Sequence, residues 1–287
     1  MQTFSRRKAA VAATAALALV PASAYAATIQ GGPGNERLRG TQAADTIDGN
    51  AGNDRIQGRG GDDRLVGGLG NDRIFGGAGN DTILGVQGND WLNGGPGNDN
   101  ISGDANNTGD RTSFDRIFGA AGDDTLHGGD SRDRIFGGSG NDTSYGENGN
   151  DRMAGGTGND LQIGGAGNDT IYANLGQDVS QGGDGNDDLW ALARGDVARG
   201  PGVDQVGDTL DGGNGNDTFH TRDGEVDRIT CGPGVDTALL DQVDVITDAT
   251  AANPNGSCER VVRKPPRARD SRTEDAQQSP RDEHVHS

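Results

Sequence analysis

Apolar side chains are scarce in this chain. Only 30% of its residues are hydrophobic and 4% aromatic, too little to fill the close-packed core of an ordinary globular domain. Beyond the first 26 residues no apolar run approaches the ~20 residues that cross a bilayer, so no membrane span is expected once that leader is removed. Lys and Arg number 25 against 44 Asp and Glu, a net charge of -19, which argues against a nucleic-acid partner because phosphate binding needs clustered cations. The two cysteines exclude a dense disulfide scaffold. Catalytic signatures are missing as well. No H-E-x-x-H occurs, and Gly137-Gly138-Ser139-Gly140 continues into Asn141, so no G-x-S-x-G nucleophile elbow forms. His127 and His220 fall inside the repeats described below and His284 and His286 in the tail, none beside a nucleophile in sequence. No catalytic residue is assigned.

Residues 1–26 read as an export signal. Arg6, Arg7 and Lys8 form a basic start, Ala9 to Val20 an Ala-rich apolar stretch, and Ala24-Tyr25-Ala26 a cleavage site before Ala27. Ser5-Arg6-Arg7 opens like a twin-arginine signal, yet Lys8-Ala9-Ala10 lacks the apolar pair that usually follows, so both export routes stay open. The protein is expected to be secreted to the cell exterior.

What the chain does have is glycine, 52 residues of it, together with acid. That composition spells disorder unless a tandem repeat imports cations. A repeat is present. Nine-residue units run without a slip from Gly31 to Ser102 and, after an insertion at 103–109, from Asp110 to Trp190; weaker copies follow at 191–199, 203–211 and 212–220. The clearest are GGLGNDRIF at 67–75, GGAGNDTIL at 76–84, GGPGNDNIS at 94–102 and GGAGNDTIY at 164–172. Their turn glycines stand at positions one, two and four: Gly67, Gly68, Gly70; Gly76, Gly77, Gly79; Gly94, Gly95, Gly97; Gly164, Gly165, Gly167. Glycine there serves turns that need positive φ or close backbone approach. Position eight is aliphatic, and from a three-residue strand one side chain points inward, giving an expected core from Ile47 and Ile56 through Leu92 and Ile135 to Phe219.

The pattern G-G-x-G-x-D-x-U-x, U aliphatic, resembles the hemolysin-type calcium-binding repeats, also called repeats-in-toxin. The resemblance spans residues 31–220, about two thirds of the chain. It implies an all-β fold, a parallel β-roll or β-solenoid in which six residues turn, three form a strand and two nonamers close a coil. Twenty nonamers in ten coils would make a rod about 48 Å long at ~4.8 Å per coil. The resemblance also implies multiple calcium ions, each between turns n and n+2 of one edge, held by the position-six Asp of both and by turn carbonyls. The matching residues are Asp45, Asp54, Asp63, Asp72, Asp81, Asp90 and Asp99, then Asp115, Asp124, Asp133, Asp142, Asp151, Asp160, Asp169, Asp178 and Asp187, with Asp217 in a weaker copy. Glu36 fills the first slot with a longer side chain, and Asp196 and Asp208 fit by spacing in turns that lack some glycines.

Energetics favour that reading. Ordering nine residues costs roughly 9 to 18 kcal/mol, one buried Ile or Leu returns about 1.5 to 3 kcal/mol, and stacked aspartates repel. Calcium, which takes six to eight oxygens in flexible geometry, answers both deficits. Metal-free chain is expected to be disordered and to fold near 10⁻⁴ to 10⁻³ M calcium, about the range of extracellular modules.

Position eight turns polar at Ser144, Gln162 and Ser180, alternate nonamers that stack on one wall opposite Met153, Ile171 and Leu189. Cys231 and Cys258 are an even pair in an exported chain and imply a disulfide. Residues 221–262 resemble the closing segment of some exported repeat proteins of the family and read as a cap; 263–287 read as a disordered, charged tail. The function expected is a calcium-binding repeat protein with a structural, adhesive or interaction role at a surface or matrix partner. The alternatives are a polysaccharide-acting enzyme on a β-solenoid and the accessory module of an extracellular hydrolase.

Overall fold

The structure, a computed structural model, describes residues 25–104, 113–191 and 207–265. Residues 1–24 of the expected export signal, 105–109 of the insertion, Asp196 and 266–287 of the tail lie outside the described residues. Every described element is a strand, 24 in all, and no helix here is long and apolar enough to cross a membrane.

Successive strands alternate between two parallel sheets of twelve strands each. The first sheet starts at Thr28–Gln30 and the second at Arg37–Arg39. Partners are equivalent positions two nonamers apart: Arg55 faces Arg73, Ile56 faces Ile74 and Gln57 faces Phe75. This is the parallel β-roll. Its register holds because a one-residue slip would turn every position-eight side chain outward. Those side chains, Ile47, Ile56, Leu65, Ile74 and the rest through Leu210 and Phe219, are fully buried between the sheets.

Strands are longer than expected from the resemblance. Most run six residues, as in Arg64–Leu69 and Arg73–Ala78, because the hydrogen-bonded ladder carries on through positions one to three before the chain turns.

The three glycines of the motif do different work. Positions two and four hold positive φ, +111° at Gly68 and +127° at Gly70. Position one is not left-handed, and its glycine answers to space instead: a Cβ on Gly67 would lie 2.3 Å from Asp72 Oδ2 and 2.8 Å from the Gly85 carbonyl oxygen.

Past residue 220 both sheets continue. Arg228–Thr230 and Val245–Ile246 extend the first, Thr237–Leu240 and Arg260–Arg263 the second. The closing segment is therefore itself coiled, with Ile229, Ala238, Leu240 and Ile246 continuing the core; its four strands, and Thr28–Gln30 ahead of the first nonamer, lie outside the expected repeats. Cys231 and Cys258 form the disulfide, with Cα atoms 5.3 Å apart. The polar wall is present too: Ser144, Gln162 and Ser180 stack in the first sheet between Leu126 and Leu210.

Candidate metal sites

Position six ends each turn and enters the strand with its side chain directed under the turn. Asp45, Asp54, Asp63, Asp72, Asp81, Asp90, Asp99, Asp115, Asp124, Asp133, Asp142, Asp151, Asp160, Asp169, Asp178, Asp187 and Asp217 are all at most 3% exposed. They fall into two files, one per edge. Within a file each aspartate's backbone N–H donates to Oδ1 of the aspartate one coil further on: Asp54 to Asp72, Asp72 to Asp90, and on the other edge Asp63 to Asp81 and Asp81 to Asp99, at 2.7 to 2.8 Å. The files bridge both interruptions, with Asp90 donating to Asp115 and Asp187 to Asp217.

Oδ1 is thus occupied, and for most of the aspartates Oδ2 is not. Oδ2 of Asp54, Asp72, Asp90, Asp115, Asp133, Asp151, Asp169 and Asp187 on one edge, and of Asp63, Asp81, Asp99, Asp124, Asp142 and Asp160 on the other, is buried without a hydrogen-bond partner, whereas Oδ2 of Asp45 accepts the Thr41 N–H. A bare carboxylate oxygen in that setting is costly, and burial, partly opposed by the donated backbone N–H and reinforced by neighbouring aspartates, pushes the carboxyl groups up. Asp72 reaches about 6, Asp90 about 8, and Asp115 and Asp151 about 9.

These oxygens face a second donor. Along the files Oδ2 and the carbonyl of the position-one residue two repeats on converge where a position-one Cβ would sit, as at Gly58 with Asp63 and Gly76, and at Gly164 with Asp169 and Gly182. Glycine keeps that cradle open. Among the described residues no three acidic, His or Cys side chains gather at one point, so any ion here takes carbonyls for much of its shell. An all-oxygen, carbonyl-rich donor set with flexible spacing fits calcium and not a transition metal.

Glu36 heads one file: its N–H donates to Asp54 Oδ1 and its own carboxylate folds back to the Gly32 N–H at 3.3 Å, so it departs from the aspartates. Asp208 keeps its place, accepting from Asp178 and donating to Asp227 Oδ1; burial pushes it up to about 11.

Sequence reasoning missed two parts of the site. Asp227, Asp236 and Asp244 prolong the files into the closing segment, where Glu259 accepts the last N–H. Asp236 was visible as the sixth residue of Cys231-Gly232-Pro233-Gly234-Val235-Asp236. Position five, treated as free, forms a file of its own: Asn71 N–H donates to Asn53 Oδ1, and Asn89 N–H to Asn71 Oδ1. The recurrent Asn before Asp was its signal.

Two parallel sheets joined by turns whose paired carboxylates await a hard cation define a metal-organised β-solenoid of nonapeptides. The pattern of the RTX calcium-binding nonapeptide repeat matches residues 30–65, 57–92, 75–108, 112–144, 145–180, 163–189 and 207–225, and the chain belongs to this family of calcium-binding repeats. No curated protein matches the chain.

Proposed function

We propose that the protein is an exported scaffold that folds when calcium enters both edges of the roll and then serves a structural or adhesive role outside the cell. The observation that carries this is the pair of continuous files in which the second oxygen of Asp54, Asp72, Asp90, Asp115, Asp63, Asp81, Asp99 and most of the other aspartates is buried without a hydrogen-bond partner. Calcium would neutralise those oxygens, drawing on Oδ2 of successive aspartates and on the position-one carbonyls. Export is supported by the signal-like leader and by a disulfide, which persists in oxidising compartments. Sites of the weak extracellular class stay empty where calcium is scarce, which lets the chain cross a membrane unfolded. Catalysis has no part in this reading, since the turn carboxylates are consumed as ladder acceptors and ion ligands.

The test is calorimetric calcium titration of the leaderless protein, followed in parallel by circular dichroism. Several ions per chain and a calcium-dependent β signal are expected. Gly76→Ala, whose Cβ would lie 2.1 Å from Asp81 Oδ2 and 2.6 Å from the Gly94 carbonyl, should lower the ion count. A β signal indifferent to chelator defeats the proposal.

A further inference from the structure

Away from the edges, position seven of the second sheet forms a column of one charge. Arg37, Arg55, Arg73, Arg116, Arg134 and Arg152 stand in register, interrupted only by Trp91. At ~4.8 Å per strand the column is about 29 Å long. The first sheet does not repeat it: position seven there runs Thr28, Thr46, Arg64, Thr82, Asn100, Thr125 and Thr143, with a single arginine. The arginines are therefore a property of one face, not a by-product of the motif.

Like charges placed opposite one another in a sheet are destabilising, and no ion pair relieves the first five arginines: among the described residues no carboxylate side chain pairs with Arg37, Arg55, Arg73, Arg116 or Arg134. Instead Arg55 lies over Phe75 at 5.5 Å, and Arg116 and Arg134 lie over Phe114 at 5.3 and 5.4 Å. Nε of Arg134 is buried without a partner. Five cations in a strongly acidic protein are thus held in a row and aimed outward.

Arg37, Arg55, Arg73 and Arg116 border a groove of about 670 Å³. Arg37, Arg55, Arg73 and Trp91 form one wall, and exposed Asn53, Asn71 and Asn89 the other. Oδ1 of Asn53 and of Asn71 is taken by the next coil's backbone, leaving the amide N–H donors for a ligand. Glu36, Asp54, Asp72 and Asp90 line it as well; calcium offsets the charge of the three aspartates in the loaded protein, and Glu36 lies at the end beside Arg37.

We propose that this groove binds an extended acidic polysaccharide whose sugar rings carry carboxylates. A guanidinium fork meets a carboxylate through two parallel hydrogen bonds, the asparagine amides meet ring hydroxyls, and a straight column of evenly spaced cations suits a polymer with one anion per repeating unit. Single-stranded nucleic acid needs open aromatic faces for its bases. Here Phe75, Trp91, Phe118 and Phe136 pack against one another with ring centroids 4.7, 5.3 and 5.2 Å apart, the first two pairs tilted and the last stacked, so those faces are largely covered.

The inference rests on the calcium-loaded roll proposed above. Calorimetry of the calcium-loaded leaderless protein with hexameric oligogalacturonate, its methyl ester and a single-stranded oligodeoxynucleotide tests it. The oligouronate should bind, and the ester and oligonucleotide should bind about tenfold more weakly or not at all. Combined Arg55→Gln, Arg73→Gln and Arg116→Gln should weaken oligouronate binding about tenfold, whereas Arg64→Gln on the other sheet should not. Retained affinity in the triple variant, equal binding of the ester, or preference for the oligonucleotide overturns the proposal. Each variant's calcium-induced β signal is recorded alongside: a roll that folds yet ignores the oligouronate sinks this inference alone, whereas a protein that does not respond to calcium sinks the reading beneath it.

Discussion

Acid and calcium should act on the roll in opposite senses, because both relieve the same buried oxygens. Asp63, Asp72, Asp99, Asp142 and Asp169 are pushed from 3.8 to about 6, Asp81 and Asp124 to about 7, and Asp90 to about 8, by burial in every case and, except at Asp99 and Asp169, by neighbouring aspartates as well. A folded-state pKa above the unfolded one means that the metal-free roll holds protons the unfolded chain has released. Its stability therefore falls as pH rises from about 4 through the folded values and levels off beyond them. At about 1.4 kcal/mol per unit, an aspartate moved from 3.8 to about 6 loses about 3 kcal/mol at neutral pH. Discounted to about 1 kcal/mol for screening, about a dozen such groups still cost on the order of 10 kcal/mol, comparable to the whole stability of a typical domain. Chelated protein should thus lack β signal at pH 7.5 and gain it near pH 4, while in calcium the sign reverses, since protons compete with the ion and the calcium midpoint should climb as pH falls from 7 to 5. Circular dichroism over a grid of pH and calcium reads both. A chelated protein with the same melting temperature at pH 5 and pH 8 refutes the reasoning.

Three further outcomes follow from named positions. Val86 holds φ +95° at a position-two site, a conformation unfavourable to a β-branched residue, so Val86→Gly should raise stability in calcium by about 1 kcal/mol, read as a higher melting temperature. Cys231→Ser should remove about 3 to 4 kcal/mol of chain-entropy stabilisation and, because coils contact only their neighbours, hydrogen exchange should rise past residue 207 and not before residue 100. Gln162 is fully buried, accepts from Ser180 at 3.2 Å and leaves Nε2 without a partner; Gln162→Leu should stabilise by about 1 to 2 kcal/mol, and a lower melting temperature would contradict this.

The roll was legible because a strict period of nine leaves few alternatives. Ile56, Ile74 and Leu92 must share one wall and Leu65, Ile83 and Ile101 the other, and the structure buries all six. The aspartate files were legible by the same count. Less legible was anything that depends on what neighbouring coils do to one another. Position-one glycine has no special φ, so its need appears only when the Asp oxygen and the carbonyl two repeats away are both in place. The asparagine file hid in a slot the motif leaves open. The arginine column hid for a different reason: read along the chain, Arg55, Arg64 and Arg73 look evenly scattered, and only the alternation between sheets separates Arg64 from the other two.

The direction of the two files explains why the closing device sits at the C-terminal end. Each position-six N–H donates forward, to the next coil's carboxylate, whereas position-five N–H groups donate backward wherever the preceding coil has Asn or Asp at that position. A coil is therefore held from both sides and gains little from ordering alone. At the N-terminal end the unmatched donors belong to position five, which is exposed as at Asn35, and water satisfies them. At the C-terminal end the unmatched donors belong to position six, which is buried, so water does not reach them and an acceptor must be built. Glu259 takes the N–H of Asp236 on one edge and Asp244 that of Asp227 on the other. Cys258 precedes Glu259 and is tied to Cys231 in the coil beneath, so the disulfide pins the terminal acceptor of one file at the end where the repeat itself has none to offer.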